Sequence, residues 1–323
     1  MITLPRLRFA HLPTPVEMLP RLSQAIGGVS ILVKRDDQTG LAFGGNKTRK
    51  LEFLLAAAQT EGARTLITAG AVQSNHCRQT AAAAARFGFD CILVLTGEKP
   101  PSRSGNLLLD DLFGAQVVWA DKSCREATLA EVFDRAQADD RRPSLIPYGG
   151  SNPVGASAYA LALGELLEQE VYPDWIVFAS SSGGTQAGLV VGQKIYSYRG
   201  RVLGISIDAP SADLQGRVAA LAENTAALLG EPFAIPAHDI LVNGDYLGGG
   251  YGVMGEGEKE AIDLFARLEG LLLDPVYTGR AAAGLIDLAR QGFFQSGEQV
   301  LFWHTGGGPA LFADRYQNYL GVE

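Results

Sequence analysis

The chain has 323 residues, of which 47% are hydrophobic and 19% are charged, a length that suits about two domains. This composition is ordinary for a globular enzyme and excludes a chain that stays disordered. The formal net charge of −8 argues against a nucleic-acid or anionic-membrane surface, although it leaves room for a local basic pocket.

The cysteines and histidines predict neither a metal site nor a disulfide framework. Cys77, Cys91 and Cys124 show no CxxC spacing and cannot all pair, and the four histidines are scattered along the chain. A reducing compartment is the simplest interpretation. The N-terminus carries no evident signal peptide, and no apolar run reaches membrane-spanning length. We therefore expect a cytoplasmic protein.

From Val29 onward, short β-branched runs alternate with longer helical patterns. The strands are predicted at 29–34, 65–70, 91–96, 116–120, 143–147, 174–179, 202–207 and 299–304. The helices are predicted at 48–61, 74–87, 105–113, 122–139, 154–169, 186–196, 212–229, 255–268 and 278–290. This alternation indicates an α/β fold with parallel sheets, right-handed crossovers and helices on both faces. No linker divides the chain, so two domains have to be interwoven.

A lysine stands at the entry to the first of these helices. Lys47 follows the glycine pair of a turn and lies where the helix dipole disfavours a cation. The mismatch suggests that Lys47 serves chemistry, for example as a Schiff-base amine. The alternative is a solvated basic face, because Arg49 and Lys50 lie close by.

A loop rich in hydroxyls and glycines joins the strand at 174–179 to the next helix. It consists of Ser181, Ser182, Gly183, Gly184 and Thr185. Glycines allow close approach of the backbone, and successive N–H groups at a helix start suit a phosphate. The alternative is a plain strand-to-helix turn. The loop is not a Walker motif, since no Gly-Lys-Ser/Thr closes it.

A second helix start, Gln73–His76, also follows a strand. Its free N–H groups and side-chain donors suit a carboxylate, although an ordinary N-cap explains Ser74 equally well. Taken alone, His76 is more typical of a structural histidine.

The stretch Gly250–Gly255 matches GxGxxG, yet no clear strand precedes it and no acidic residue follows at the expected place. As a dinucleotide fingerprint it is weak. Tyr251 is either an exposed phenol in this loop or a packing tyrosine. Tyr277 and Thr278 begin another helix.

Together these parts favour pyridoxal phosphate over a nucleotide. That cofactor needs an amine, a cup for its phosphate and a partner for its ring nitrogen. The sequence offers a lysine at a turn, a phosphate cup at 181–185, a helix start that suits a carboxylate, and the loop tyrosines Tyr251 and Tyr277.

The motifs resemble those of the family of 1-aminocyclopropane-1-carboxylate (ACC) deaminases and D-cysteine desulfhydrases. The segments that carry the resemblance are Phe43–Glu52, Gln73–Asn75, Gly183–Thr185, Tyr251–Gly252, Asp274–Gly279 and His304–Gly307. The resemblance implies the type II fold of pyridoxal-phosphate enzymes, which is tryptophan-synthase-β-like with two three-layer αβα domains. It also implies a large domain formed by residues 1–49 and 159–323, a small domain at 50–158, and a homodimer.

The resemblance also implies roles for individual residues. Lys47, next to Asn46, would bind the cofactor through its amine and move the substrate α-proton. Asn75 would hydrogen-bond the pyridoxal hydroxyl, and Ser74 with the nearby helix N–H groups would bind the substrate carboxylate. Asn75 and His76 would also contact the substrate. Tyr251 and Tyr277 would flank the substrate and assist catalysis. The remaining cofactor contacts would come from Asn46, Ser181, Ser182, Gly183, Gly184, Thr185, Thr278 and Thr305.

Two positions distinguish the subfamilies. ACC deaminases carry Glu after the second tyrosine and Leu after the histidine of the last motif, where this chain has Thr278 and Thr305. A neutral hydroxyl near the ring nitrogen weakens the electron sink, which still suffices when a thiolate leaves from Cβ. We therefore expect elimination of sulfide from D-cysteine.

Other activities stay open at this point. L-Cysteate sulfo-lyases also resemble the chain, notably at 11–15 and 149–153, and their sulfonate would need a further cation, for which Arg78 and Arg280 are candidates. ACC deaminase activity is a further alternative. A nicotinamide dehydrogenase rests only on the weak GxGxxG motif, and a non-catalytic binding protein has little support.

Overall fold

The computed structural model describes residues 2–321. Its helices are α1 Pro20–Ala25, α2 Asn46–Thr60, α3 Asn75–Phe87, α4 Gly105–Leu112, α5 Arg125–Ala138, α6 Pro153–Glu168, α7 Gly184–Ile195, α8 Ser211–Leu228, α9 Glu256–Glu269, α10 Thr278–Arg290 and α11 Asp314–Leu320. Its strands are β1 Val16–Met18, β2 Ser30–Lys34, β3 Thr65–Ala71, β4 Asp90–Thr96, β5 Gln116–Ala120, β6 Pro143–Leu145, β7 Trp175–Ser180, β8 Arg201–Ser206, β9 Leu241–Asn243 and β10 Gln299–Trp303.

The strands form two sheets, as the alternating pattern predicts. The larger sheet has the order β1-β2-β10-β7-β8-β9, and only the pairing of β1 with β2 is antiparallel. The smaller sheet has the order β5-β4-β3-β6 and is parallel throughout. Each strand of the parallel pairs is reached through a helical crossover, which covers both sheet faces.

Helices cover both faces of each sheet. On the larger sheet, α1, α9 and α10 bury apolar side chains on one face, and α6, α7 and α8 do so on the other. On the smaller sheet, α2, α3 and α4 pack on one face and α5 on the other. The prediction of two three-layer αβα units is confirmed.

The two sheets separate along the chain in the interwoven manner that the sequence suggests. All strands of the smaller sheet lie between residues 65 and 145, and all strands of the larger sheet lie outside that span. The predicted domain limits at 49/50 and 158/159 stay a prediction, since each falls inside a helix, α2 or α6.

Four short elements were absent from the sequence prediction: β1, α1, β9 and α11. Each of the two strands has three residues, and the two helices have six and seven, too few to show a hydrophobic period. None of the helices within residues 2–321 is long and apolar enough to cross a membrane.

Candidate active site

A pocket opens where the carboxyl ends of strands from both sheets approach each other, the usual place for a ligand in open α/β sheets. The loops after β3, β7 and β10 deliver Ser74, Ser181 and Thr305 to it. The full lining is Asn46, Lys47, Ser74, Asn75, His76, Tyr148, Gly149, Ala179, Ser180, Ser181, Ser182, Gly183, Thr185, Tyr277, Thr305 and Gly306.

Lys47 lies on the first turn of α2 and reaches this pocket. The turn before it depends on Gly44 and Gly45, whose φ angles of 63° and 123° are left-handed. A side chain at Gly44 would meet the carbonyl oxygen of Asp37 at 1.9 Å. The Lys47 Nζ donates to Asn46 Oδ1 at 3.0 Å. Burial lowers the pKa of Lys47 to about 8, helped by the charge of Arg78. The amine is therefore closer to its reactive neutral form than an ordinary lysine is.

The hydroxyl-rich loop forms a cup at the start of α7, which begins at Gly184 and whose N-cap residue, Gly183, has no side chain to cap it. Gly183 adopts a left-handed φ of 87°. The Ser182 and Ser151 hydroxyls lie 2.8 Å apart, and Gly184 N–H donates to Ser151 Oγ at 3.2 Å. A Cβ at Gly184 would lie 2.9 Å from Lys50 Nζ. The geometry suits an anion with several oxygens.

Lys50 is a cation of this cup that sequence reasoning missed, since the sequence suggested only a solvated basic face for it. Only 1% of the side chain is exposed. Its Nζ donates to the Gly149 carbonyl at 3.2 Å and approaches Ser151 Oγ at 3.5 Å, and no carboxylate of residues 2–321 pairs with it. Burial lowers its pKa well below the ordinary value, and Lys47 adds to the effect. Lys50 follows Lys47 by about one helical turn, and this spacing places both amines on one face of α2.

The start of α3 supplies donors on the opposite side of the pocket. Ser74 is the N-cap, and its Oγ accepts from Cys77 N–H at 3.2 Å, so its own hydroxyl proton stays available. Asn75 Oδ1 accepts from Asn106 at 2.9 Å, which leaves the Asn75 amide N–H₂ as the donor for a ligand. The predicted grouping of Ser74, Asn75 and Lys47 in one pocket is found.

His76 lies deeper than its predicted substrate contact requires. It lines the pocket yet is only 4% exposed, and its Nε2 lies 2.9 Å from Thr68 Oγ1. The Thr68 hydroxyl donates to the Ile146 carbonyl, so it accepts the proton of His76 Nε2. Burial and the charges of Lys47 and Lys50 lower the pKa of His76 well below its usual range. His76 is thus a neutral ring anchored to β3.

The two predicted tyrosines meet at the pocket mouth. Their hydroxyl oxygens lie 2.5 Å apart, and their ring centroids are 5.9 Å apart with nearly perpendicular planes. Tyr277 lines the pocket, whereas Tyr251 lines a wider adjoining cavity that shares Tyr148, Ser181 and Ser182 with it. Burial raises the pKa of both phenols, so both remain protonated near neutral pH.

The two threonines that distinguish the subfamilies occupy different surroundings. Thr305 lines the pocket. Thr278 is fully buried, accepts from Asp274 N–H at 2.7 Å and donates its only hydroxyl proton to Asp274 Oδ1 at 2.8 Å. Asp274 also accepts from the N–H groups of 276–278. The structure brings Thr305 into the lining but commits the Thr278 proton elsewhere, and its predicted cofactor contact stays a prediction.

Neither candidate arginine lines the pocket. Arg78 is fully buried and donates to the Gly44 carbonyl at 2.9 Å. Arg280 pairs with Glu258 at 2.7 Å and donates to the carbonyls of Ile207, Gly250 and Val253. Arg280 therefore ties the loop of Tyr251 to α10. Gly250–Gly255 itself leads into α9 from a loop, so no βαβ unit supports a dinucleotide site there.

Sequence reasoning also missed Tyr148, Gly149 and Ser180 as lining residues. A signal was present, because Tyr148 and Gly149 follow β6 and so stand at the carboxyl end of a parallel strand. The sequence predicts this strand at 143–147 but does not by itself assign the glycines after it to the site.

These residues fit pyridoxal phosphate. The Lys47 amine, with its lowered pKa, suits the aldehyde of the cofactor. The glycine-lined cup beside the buried Lys50, which has no carboxylate partner among the described residues, suits the phosphate. The free Asn75 amide suits the ring hydroxyl.

Comparison with known proteins agrees with this fit. Residues 7–306 match the family described as pyridoxal-phosphate dependent enzyme. A D-cysteine desulfhydrase from Klebsiella pneumoniae (strain 342) is 47% identical over 319 residues, which covers 96% of each chain. The crystal structure of an ACC deaminase homologue superposes with a TM-score of 0.90 and 39% identity, over 98% of this chain and 95% of that one.

A fungal L-serine ammonia-lyase from Rhizomucor miehei shares the fold at 17% identity, with a TM-score of 0.69 over 96% of this chain and 98% of that one. The predictions of the fold and of the cofactor are both confirmed. The chain belongs to the pyridoxal-phosphate dependent enzymes, and pyridoxal phosphate is its cofactor.

Proposed function

We propose that this protein catalyses α,β-elimination of D-cysteine, in which D-cysteine and water give pyruvate, ammonia and hydrogen sulfide. The observation that carries the proposal is one pocket that joins the Lys47 amine, the donors of α3 and the hydroxyl of Tyr277. The high identity to a protein named D-cysteine desulfhydrase supports it.

When bound, pyridoxal phosphate supplies the electron sink for the negative charge that develops at Cα. Lys47 is the base that takes the α-proton. Its pKa of about 8 leaves part of the amine neutral near neutral pH, and Asn46 Oδ1, 3.0 Å from its Nζ, orients it.

Ser74 binds the substrate carboxylate. Its hydroxyl proton is free, and the first N–H groups of α3 lie beside it with the positive end of the helix dipole. Holding the carboxylate on this side fixes which Cα bond faces Lys47.

The tyrosine pair assists the leaving sulfur. Two phenols hold two hydroxyl protons, and their mutual hydrogen bond uses one of them. The other is available to a thiolate that leaves from Cβ. Because burial keeps both phenols protonated, the pair acts as a donor near neutral pH.

The cup at 182–185 and Lys50 hold the phosphate. Phosphate oxygens offer Lys50 the anionic partner that it lacks among the described residues, so binding converts a costly buried amine into a charge-assisted contact.

The two related activities have less support. A sulfonate leaving group needs a further cation, and neither candidate lines the pocket. Arg78 is buried and makes its hydrogen bond to the Gly44 carbonyl, and Arg280 pairs with Glu258. Opening of the ACC ring calls for a strong electron sink, whereas Thr305 offers only a neutral hydroxyl at the pocket wall.

The test is a panel of D-cysteine, L-cysteine, L-cysteate, β-chloro-D-alanine and ACC, scored by release of pyruvate. We expect D-cysteine to give the highest kcat/KM among the natural amino acids in this panel. Faster turnover of ACC or of L-cysteate, with release of sulfite in the second case, would overturn the proposal.

We also propose a homodimer that works in the cytoplasm. Exposed apolar side chains support a partner surface: Phe43 at 68%, Leu112 at 71% and Phe312 at 66% exposure. The segment Gly308–Phe312 packs against α4, so Leu112 and Phe312 lie on neighbouring elements. Three unpaired cysteines are compatible with a reducing compartment. Light scattering at micromolar concentration tests the dimer.

A further inference from the structure

Arg78 is an unusual residue for the interior of this protein. Its side chain is fully buried on α3, and its Nη2 donates to the Gly44 carbonyl at 2.9 Å. Its Nε and Nη1 find no hydrogen-bond partner among the described residues. A buried guanidinium with so few partners is costly, because burial disfavours an unpaired charge. Burial lowers the pKa of Arg78 to about 10, which still leaves it charged at neutral pH.

No neighbouring carboxylate neutralises this charge by direct contact. Asp110 on α4 acts electrostatically on Arg78 and is fully buried, and neither of its carboxylate oxygens has a hydrogen-bond partner within residues 2–321. Burial raises the pKa of Asp110 well above its ordinary value, whereas the nearby charge of Arg78 lowers it. Asp274, the other acidic group that acts on Arg78, already accepts four hydrogen bonds from residues 276–278.

Arg78 is linked to Lys47 in two ways, through the turn that precedes Lys47 and through its positive charge. The carbonyl that it holds belongs to Gly44, the first residue of the left-handed pair before Lys47. Around Lys47 the charged and titratable groups are Arg78 and His76 from α3, Lys50 from α2 and Asp274 from the loop before α10. Two of these groups shift the pKa of Lys47: Arg78 lowers it and Asp274 raises it.

We propose that Arg78 is a positioning residue for Lys47: it fixes the Gly44–Gly45 turn and holds a permanent positive charge beside the amine. The charge makes protonation of Lys47 less favourable, so more of the amine is neutral at a given pH. The neutral amine is the form that attacks the cofactor aldehyde and accepts the α-proton. This inference rests on the proposed role of Lys47.

The test follows recombination of the full chain, freed of cofactor by hydroxylamine and dialysis, with pyridoxal phosphate. The rate of growth of the visible absorbance is measured from pH 6 to 10 for wild type, Arg78→Gln, Arg78→Lys and Asp110→Asn. Arg78→Gln removes the charge and keeps a donor. The pH at which its recombination rate is half of the plateau value should therefore rise by about half a pH unit, which means about threefold slower recombination at pH 7. Arg78→Lys should keep the wild-type midpoint with a lower plateau rate. Asp110→Asn should match wild type, since it keeps the charge of Arg78 and Asp110 is not among the groups that shift the pKa of Lys47.

An unchanged midpoint in Arg78→Gln, or a rate independent of pH in the wild type, overturns the inference. If Arg78→Gln does not fold, Arg78→Lys decides: a midpoint that rises with the charge still present also overturns it. Failure of the proposed role of Lys47 looks different, because then Lys47→Ala would gain the same absorbance as the wild type.

Discussion

The hydroxyl oxygens of Tyr251 and Tyr277 lie 2.5 Å apart, although 25 residues separate them in the chain, and only Tyr277 lines the cofactor pocket. Tyr251 stands on the side of the wider cavity. The two phenols therefore share one hydrogen bond but face different surroundings, which predicts unequal effects of removing each hydroxyl.

Tyr277→Phe should lower kcat for D-cysteine by roughly 100-fold, within the range of a lost proton donor. Tyr251→Phe should cost less, about tenfold, because it removes the neighbour and leaves the Tyr277 proton free to reach substrate. Steady-state assays of sulfide release measure both. Equal losses, or a larger loss for Tyr251→Phe, would place the donor on Tyr251.

Arg280→Lys should lower the free energy of unfolding by about 2 kcal/mol. Lysine keeps the charge toward Glu258 but cannot reach the three carbonyls that the guanidinium holds at 2.7–3.1 Å. The matched control is Arg290→Lys on the same helix, whose pair with Glu260 is solvent-exposed and should change stability by less than about 0.5 kcal/mol. Urea unfolding measures both variants. Similar losses of stability would show that the three carbonyl contacts of Arg280 do not stabilise the fold.

Lys50→Gln should weaken pyridoxal phosphate binding by about 2 kcal/mol, roughly 30-fold, because the phosphate loses a charge-assisted donor. The chain without cofactor should keep its stability or gain some, since a buried cation without a carboxylate partner is removed. Absorbance titration and thermal unfolding measure these two quantities. Lys194→Gln, an exposed change on α7, is the control and should alter neither. Undiminished affinity in Lys50→Gln would remove Lys50 from the cup.

Asp36→Asn should destabilise the protein by about 3 kcal/mol at pH 7, because Asp36 is fully buried against the Arg49 guanidinium at 2.8 Å. Burial opposes ionisation of Asp36, but Arg49 and the hydrogen bonds prevail and the pKa lies below its ordinary value.

A carboxyl whose pKa is lower in the folded state than in the unfolded state stabilises the fold at pH values above the unfolded-state pKa. This stabilisation is lost as the pH falls through the folded-state pKa. The difference between wild type and Asp36→Asn should therefore shrink below about pH 4. Urea unfolding at several pH values checks this. Asp140→Asn, in an exposed pair with Arg64, is the control and should show almost no difference at pH 7.

The long elements and most of the site were predictable from the sequence, for physical reasons that can be named. Buried parallel strands such as β7 read as continuous apolar runs, and loops at their carboxyl ends carry polar and glycine residues, as at 181–185. Lys47 was found because a cation is out of place at a helix start.

The rest depended on tertiary contacts that no local pattern records. Lys50 and Arg49 look alike in the sequence, yet Arg49 pairs with Asp36 and Glu165, whereas Lys50 faces the Gly149 carbonyl. Thr278 carries a free hydroxyl on paper, and only the fold shows that Asp274 takes its proton.

The position of β10 has a consequence for how the protein is made. This strand, near the end of the chain, lies between β2 and β7 in the larger sheet. During synthesis, β2 can pair with its parallel neighbour β10 only after residues 299–303 have been made. The smaller sheet, by contrast, has all its strands by residue 145. Such distant pairings form slowly. The smaller sheet can thus form first while the chain is still growing, and Thr305, just after β10, completes the pocket only when the larger sheet closes. Acquisition of the cofactor colour would then mark the end of folding.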